Sequence, residues 1–309
     1  VAPSFVSSFG VNDFSVMQIA LGKLGFAYSE ETAVGANLVV EEYKKLLKEG
    51  KYKNFITSAC PSVNRLIQEY YPNALPYLAN VDSPMLAHAK LLKKQFPTAK
   101  IVFIGPCIAK KKEAAESGII DAVLTYEDLK GLFEKNKINL TQTAKLSVSK
   151  QGVGENKAKF FPISRGIIKS FDELPLGYEY VAIDGVQKCM DILESVDTLS
   201  GMFLELNACE YACVKGPCSL TSAEGAIKAN ADIRKYATKG GDKWLTVDGK
   251  GIDISQFYPR IKPLGSAFTE KDIKAVLAQT GKFKKEDELN CGACGYRTCR
   301  EKAWAVLNG

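Results

Sequence analysis

Histidine is nearly missing from this sequence: His88 is the only one in 309 residues. It falls on a helical stretch after Pro84, and it reads as a surface or near-site residue rather than a metal ligand. No apolar run is long enough to span a bilayer, and the start does not read as a secretory signal, so the expected location is the cytoplasm, away from membranes. No dense block of Lys and Arg with interleaved aromatics occurs, and the net charge is only +6. Nucleic-acid binding is therefore not indicated, and the lysines read as solvated surface. Lys110-Lys-Lys112 and Lys282–Glu288 are balanced locally by acids. No internal repeat is strong enough to use. A paired disulfide framework is also not expected, because nine cysteines is an odd number in a chain this long. Thiols held for metal binding fit better.

What is present is ordinary for a soluble globular enzyme, with 46% apolar and 25% charged residues. The length suggests one large domain or two lobes. The chain opens at Val1 without Met and stops inside a cysteine motif, so it is read as a fragment.

Helical spacing of Val16, Ile19, Ala20 and Leu24 follows a cap at Asn12 or Asp13, and Gly25 ends that helix. A second helix runs from about Val34 to Glu49, with Gly50 after it. Residues 54–60 read as a buried strand ending at Cys60, and Pro61 starts a helix that Pro72 stops. Another helix follows Ser83-Pro84 to about Gln95. Residues 100–107 repeat the pattern of strand, Pro and Cys. A strand at 121–126 follows, with Thr125 capping the next helix through Asp128. Residues 135–157 are polar and irregular, and are taken as a lobe boundary. Beyond them come a strand at 178–183, a helix carrying Val186, Cys189, Met190, Leu193 and Val196, and a strand at 202–206. A helix from about Ser222 to Tyr236 and a loop-rich region from Gly240-Gly241 close the pass. Strands alternating with helices predict an α/β fold of two lobes, each a mainly parallel sheet flanked by helices. The expected divisions are 1–140, 141–285 and 286–309. Ligands in such sheets sit beyond the carboxyl ends of strands.

Four cysteines fall at such ends. Cys60 and Cys107 follow strands of the first half. Cys209 and Cys213 follow the 202–206 strand, and Lys215-Gly-Pro places the second of them at a turn. Thiolates are soft ligands that select iron–sulfur clusters, zinc or cuprous copper. Four of them in one cleft is the ligand set of a 4Fe-4S cluster. Structural zinc more often uses two close pairs, and four idle core cysteines are the plainer alternative.

At these residues the sequence resembles the catalytic domain of iron-only (FeFe) hydrogenases. Thr57-Ser-Ala-Cys-Pro61 is similar to the family's TSCCP motif. Gly105-Pro-Cys-Ile-Ala-Lys-Lys-Lys-Glu113 resembles MPCxxKxxE, and Glu205 to Gly216 resembles ExMACxxGCxxGG. The match runs in order from about Val1 to the mid-200s. The resemblance implies an H-cluster. Cys60, Cys107, Cys209 and Cys213 would hold a 4Fe-4S cluster, and Cys213 would bridge to a two-iron unit carrying CO, CN and a dithiolate with a central amine. Lys110 would donate to a cyanide. Ala2, Pro3, Ser4, Ser83, Pro84, Met85, Gly105, Pro106, Lys110 and Asn207 match the implied pocket wall, and Val1 would begin a strand. H2 and protons would be the substrates. Maturation proteins would be needed to build the two-iron unit, and the redox or signalling partner is open.

The departures matter as much. Ala59 stands where the family has a second cysteine, which hands protons to the bridging amine. Gly105 and Asn207 replace methionines, Met85 replaces a glutamine, and Ala79 replaces a serine of the proton path. This combination resembles the sensory branch, so slow, reversible hydrogen chemistry used for sensing under anaerobic conditions is expected. The alternative is a non-enzymatic iron–sulfur assembly or scaffold relative that lacks the two-iron unit. Cys291-Gly-Ala-Cys-Gly-Tyr-Arg-Thr-Cys299 resembles a small 4Fe-4S module whose fourth cysteine lies beyond Gly309. Cys189 reads as core. Cys218 reads as a bystander near the site, or as a substitute relay.

Overall fold

The computed structural model describes residues 1–146, 157–220, 225–239, 249, 251–261 and 268–308. Two compact units form, Val1–Arg260 and Ile261–Gly309.

The first unit opens with helices α1 (Phe5–Phe9), α2 (Phe14–Lys23) and α3 (Ala33–Glu49). The Asp13 side chain accepts from the Ser15 N–H at 2.9 Å to start α2. Gly50 ends α3 with φ 66°, a left-handed cap that suits glycine. Strand β1 (Phe55–Ile56) leads to α4 (Pro61–Tyr70) and then α5 (Pro84–Gln95). Gly35 lets α3 lie close against α5, since a Cβ there would meet the Pro84 carbonyl oxygen at 2.2 Å.

Strand β2 (Val102–Gly105), α6 (Ala109–Ser117), β3 (Ala122–Thr125) and α7 (Tyr126–Lys135) follow. The capping box expected between Thr125 and Asp128 is present. Helices α8 (Leu140–Leu146) and α9 (Gly166–Lys169) precede β4 (Glu179–Asp184), α10 (Val186–Ser195), β5 (Met202–Asn207) and α11 (Ala226–Ala237).

Among the described residues, these strands pair in parallel. One sheet has the order β1-β5-β4 and the other is β2-β3. Parallel neighbours need crossovers, which the helices supply. Around β5, Phe55 stacks on Phe203 with ring centroids 5.3 Å apart, both fully buried. Burying each such ring stabilises the fold by about 1.5–3 kcal/mol. Leu204 and Leu206 face Ile56, Ile67 and Leu193 in a second core. A third core gathers α1, α2, α7 and α11 beside β2.

The sheet of β1, β5 and β4 joins a strand from the first 140 residues to two from later in the chain. Two expectations are corrected. Val1 does not begin a strand; Ala2 N–H donates to the Ile104 carbonyl at 2.8 Å, and the chain turns into α1 after Pro3, which has no N–H to extend a ladder. The polar stretch at 135–157 holds helix α8. The loop expected at Gly240-Gly241 lies outside the described residues, as does Ser222; the helix expected there runs over Ala226–Ala237.

The second unit carries α12 (Glu270–Gln279) and α13 (Cys299–Asn308). They pack through Ile273, Val276, Leu277 and Ala303. Arg300 pairs with Glu270 and, at 3.3 Å, with Glu288. Among the described residues no helix is long and apolar enough to cross a membrane.

Candidate metal centre

Each of β1, β2 and β5 runs into a turn that carries cysteine. Cys60 caps α4 in an extended conformation, with Pro61 in the first helical turn where its missing N–H costs nothing. Cys107 lies between Gly105 at the end of β2 and the start of α6. After β5, Tyr211 and Ala212 both take left-handed backbone angles, φ 60° and 56°, and coil the chain into a turn over Ala212–Lys215. That coil sets Cys209 and Cys213 on the same side.

Main-chain bonds tie these turns together. Cys218 N–H donates to the Pro106 carbonyl at 3.1 Å, and Val214 N–H donates to Pro162 at 3.1 Å. Gly216 permits the first contact, since a Cβ there would lie 2.6 Å from the Pro106 oxygen.

The result is a cavity of about 110 Å³ lined by all four cysteines. Its wall is largely small and apolar, with Ala2, Ala33, Ala36, Ala59, Ala158, Ala208 and Ala212. Among the described residues that line it, Lys110 is the only charged side chain. Its ammonium lies 2.6 Å from Glu113 Oε2, and both side chains are largely buried.

Burial pushes up the thiols of Cys60, Cys209 and Cys213. It raises Cys60, although the N–H groups of Ala208 and Val63 donate to that sulfur and oppose the rise. Cys209 is pushed up to about 12 by burial first and then by Cys60 and Cys107. Cys213 is raised further by burial, then by Cys107, Cys60 and Cys209, with Lys110 opposing. Cys213 is the most exposed of the four and lines the cavity. The raised Cys60, Cys209 and Cys213 thiols are a poor resting arrangement for anions. A cationic centre would take the place of their protons.

Among the described residues, no three His, Cys, Asp or Glu side chains close on one point as a single ion requires. The cysteines instead ring a space. Four thiols around one space is the ligand set of a 4Fe-4S cluster. Donor chemistry, small lining residues and the N–H donors to Cys60 all fit an iron–sulfur cluster.

Of the expected wall, Ala2, Pro3, Ser4, Pro84, Met85, Pro106, Lys110 and Asn207 line the cavity. Ser83 and Gly105 do not. Ser83 caps α5, accepting from Leu86 N–H. Gly105 leaves room for the Phe103 ring, which a Cβ would approach to 2.8 Å. Lining residues that motif reading missed include Thr32, Phe103, Phe161 and Pro162. Phe103 lies on β2 just ahead of the Gly105 motif, while Thr32, Phe161 and Pro162 come from segments with no motif of their own. His88 is buried rather than on the surface, and its Nε2 lies 3.0 Å from Glu30. Cys189 is buried, with its thiol donating to the Asn207 carbonyl at 3.5 Å. Cys218 is buried and does not line the cavity.

In the second unit Cys291 and Cys294 are exposed and Cys299 is half-buried. Gly292 and Gly295, with φ 72° and 83°, turn the loop between them. Asn290 Oδ1 accepts from Cys299 N–H at 2.8 Å and holds the loop to the start of α13.

Fold and cavity define a class: an α/β protein of parallel sheets whose strand ends gather thiols around one pocket. The chain belongs to the family formed by the C-terminal domain of the iron-only hydrogenase large subunit, and the family model matches residues 1–217. A second family model, for an Fe-S cluster segment, matches residues 287–309. The chain is 30% identical over 197 residues to the periplasmic [Fe] hydrogenase large subunit of Nitratidesulfovibrio vulgaris, covering 55% of this chain and 44% of that protein. It is 26% identical over 156 residues to the cytosolic Fe-S cluster assembly factor NAR1 of Eremothecium gossypii, covering 47% and 35%. The chain thus spans less than half the length of these curated relatives. Among solved structures, a variant of [FeFe]-hydrogenase HydA1 from Chlamydomonas reinhardtii superposes with TM-score 0.65 at 15% identity, over 85% of this chain and 93% of that one. At that identity the likeness shows the fold.

Proposed function

We propose that Cys60, Cys107, Cys209 and Cys213 hold a 4Fe-4S cluster, that Cys213 also bridges to a two-iron unit with CO, CN and azadithiolate ligands, and that the protein interconverts H2 with protons and electrons slowly, as a sensor. The observation that carries this reading is one small cavity lined by four thiols and a single buried lysine, in a chain of the iron-only hydrogenase family. When bound, such a cluster supplies the hydrogen chemistry itself. The chain's residues do the rest. Lys110, held by Glu113, offers an ammonium to an anionic ligand in the cavity. Ala208 and Val63 N–H groups stabilise charge on the Cys60 sulfur. The alanine-rich wall keeps water out, and Ala59 withholds a proton carrier from its position.

Sensing follows from that last feature, because a sensor needs a hydrogen-dependent state rather than flux. The setting is an anaerobic cytoplasm with dedicated assembly proteins. Cys291, Cys294 and Cys299 begin a second 4Fe-4S site.

A second reading, an iron–sulfur assembly or scaffold protein without the two-iron unit, is favoured by the likeness to the NAR1 assembly factor. Infrared spectroscopy after reconstitution with a synthetic two-iron complex separates the two. Carbonyl and cyanide bands retained on the protein support the hydrogenase reading. Iron–sulfur loading without those bands supports the scaffold.

A further inference from the structure

Asn207 ends β5 and lines the cavity, and it is only 7% exposed. Its main chain is held from one side. Parallel pairing sets it opposite Asp184 of β4, its main-chain carbonyl accepts from Gly185 N–H at 2.9 Å, and the Cys189 thiol donates to the same oxygen at 3.5 Å. Its side-chain amide is held as well. Asn207 Nδ2 donates to Asp184 Oδ1 at 3.0 Å. The amide also bonds the carboxyl of Glu205, two residues earlier on the strand. A carboxylate only accepts, whereas an amide has a donor end and an acceptor end. The nitrogen of Asn207 therefore faces Asp184, and its oxygen is turned away. Among the described residues no donor reaches Asn207 Oδ1, and this oxygen is not sealed in protein as Glu205 Oε1 and Thr57 Oγ1 are. The cavity is the space that Asn207 lines, so that is where the oxygen opens.

We propose that Asn207 offers its side-chain oxygen to the cavity as a hydrogen-bond acceptor and so selects a metal unit that carries an N–H, with Asp184 as the positioning residue that turns the amide. This rests on reading the cavity as the site of a two-iron unit. Carbonyl, cyanide and thiolate ligands offer lone pairs only, so the amine of the dithiolate bridge is the one donor such a unit carries. Lys110 supplies the opposite polarity, an ammonium for an anionic ligand. The alanines of the wall offer neither. A methionine at position 207 would present only a thioether, a weak acceptor. One hydrogen bond of this kind is worth a factor of about 3 to 10 in binding.

Two measurements test the selection. In the metal-free protein, the side-chain amide of Asn207, assigned by its loss in Asn207→Leu, should give nitrogen–proton NMR signals that move when Asp184→Ala removes the acceptor. Signals that ignore Asp184→Ala overturn the orientation of the amide. For the loaded protein the probes are two synthetic two-iron complexes that differ only in an amine or a methylene at the bridge. The wild type should retain the amine form about 3- to 10-fold more tightly, read from the carbonyl and cyanide infrared bands left after dialysis at limiting complex. Asn207→Leu should retain both forms alike, and Asp184→Ala should narrow the difference. Equal retention by the wild type overturns the selection, as does a preference that survives Asn207→Leu. Should Asn207→Leu not fold, the wild-type comparison and the response to Asp184→Ala decide the matter. A wild type that retains neither complex overturns the two-iron reading and the selection with it, whereas the amide signals report on the orientation alone.

Discussion

Lys110 donates to the main-chain carbonyl of Ala59 at 3.4 Å, so the one charged side chain lining the cavity leans on the residue that has only a methyl to offer. Positive charge and proton inertness meet at the same wall. The lysine can hold an anionic ligand there, while the alanine cannot pass a proton.

The first prediction separates the two cysteine sets. Cys60→Ser, Cys107→Ser, Cys209→Ser and Cys213→Ser should each lower iron bound by the first unit, because clusters need all four thiolates together. Cys291→Ser, Cys294→Ser and Cys299→Ser lie in a separate compact unit and should leave that iron in place. Iron and labile sulfide per chain check this. Loss of the central cluster from the tail variants would make the tail part of the same scaffold.

Removing Lys110 alone should be costly even without metal. Its side chain is 10% exposed and that of Glu113 is 13% exposed, so Lys110→Met leaves a buried carboxylate without its cation. Breaking one partner of such a pair typically costs about 3 kcal/mol or more, whereas replacing both is far milder. Chemical denaturation of Lys110→Met, and of Lys110→Met with Glu113→Leu, should therefore show the double variant as the more stable. If the single variant matches the wild type, the pair contributes nothing to the fold.

Glu205, at the centre of β5, is fully buried and its Oε2 accepts from Ile168 N–H at 2.9 Å. Burial is the main cause that pushes its carboxyl up from 4.5 to about 8, opposed by the N–H donors of Ile168 and Gly166. Between those values the folded state keeps a proton that the unfolded chain has lost. Stability should therefore fall as pH rises from about 5 to 8, by up to about 1.4 kcal/mol per pH unit from this group. Asp82, also raised, adds the same sign. Glu205→Gln keeps the shape and an acceptor, and it should flatten the slope and be the more stable protein at pH 8. Equal slopes in the two proteins would show Glu205 ionised throughout.

Much of this was legible in the sequence. Caps at Asp13 and Thr125, Gly50 at a helix end and Pro61 in a first turn are local signals, and each sits where local chemistry put it. An apolar strand followed by adjacent Cys and Pro placed Cys60 and Cys107 at strand ends, and those two, with Cys209 and Cys213, share a cavity. The pairing of β1 with β5 was not legible, because alternating strands and helices do not say which sheet a strand joins. Thr32, Phe161 and Pro162 reach the cavity through tertiary packing alone. His88 was misplaced because its helix carries buried residues on several sides, from Met85 to Leu91, so the face it lies on could not be read from spacing.

The last prediction concerns rate. Proton exchange between the cavity and solvent needs groups that both accept and donate, and neither the methyl of Ala59 nor that of Ala79 does so. Ala79 is fully buried beside Val81 in the core around Tyr43. A positioned acid–base group is worth about 100- to 10,000-fold. Turnover should accordingly lie far below that of relatives with a cysteine at position 59, with the cluster intact. Ala59→Cys adds a thiol to a wall that already lines the cavity, and it should raise the rate without altering the carbonyl and cyanide bands. Recovery should be partial, because Ala79 still offers no hydroxyl. Wild-type turnover equal to that of the cysteine-bearing relatives would show that proton supply never limits this protein, and that Ala59 marks no functional difference.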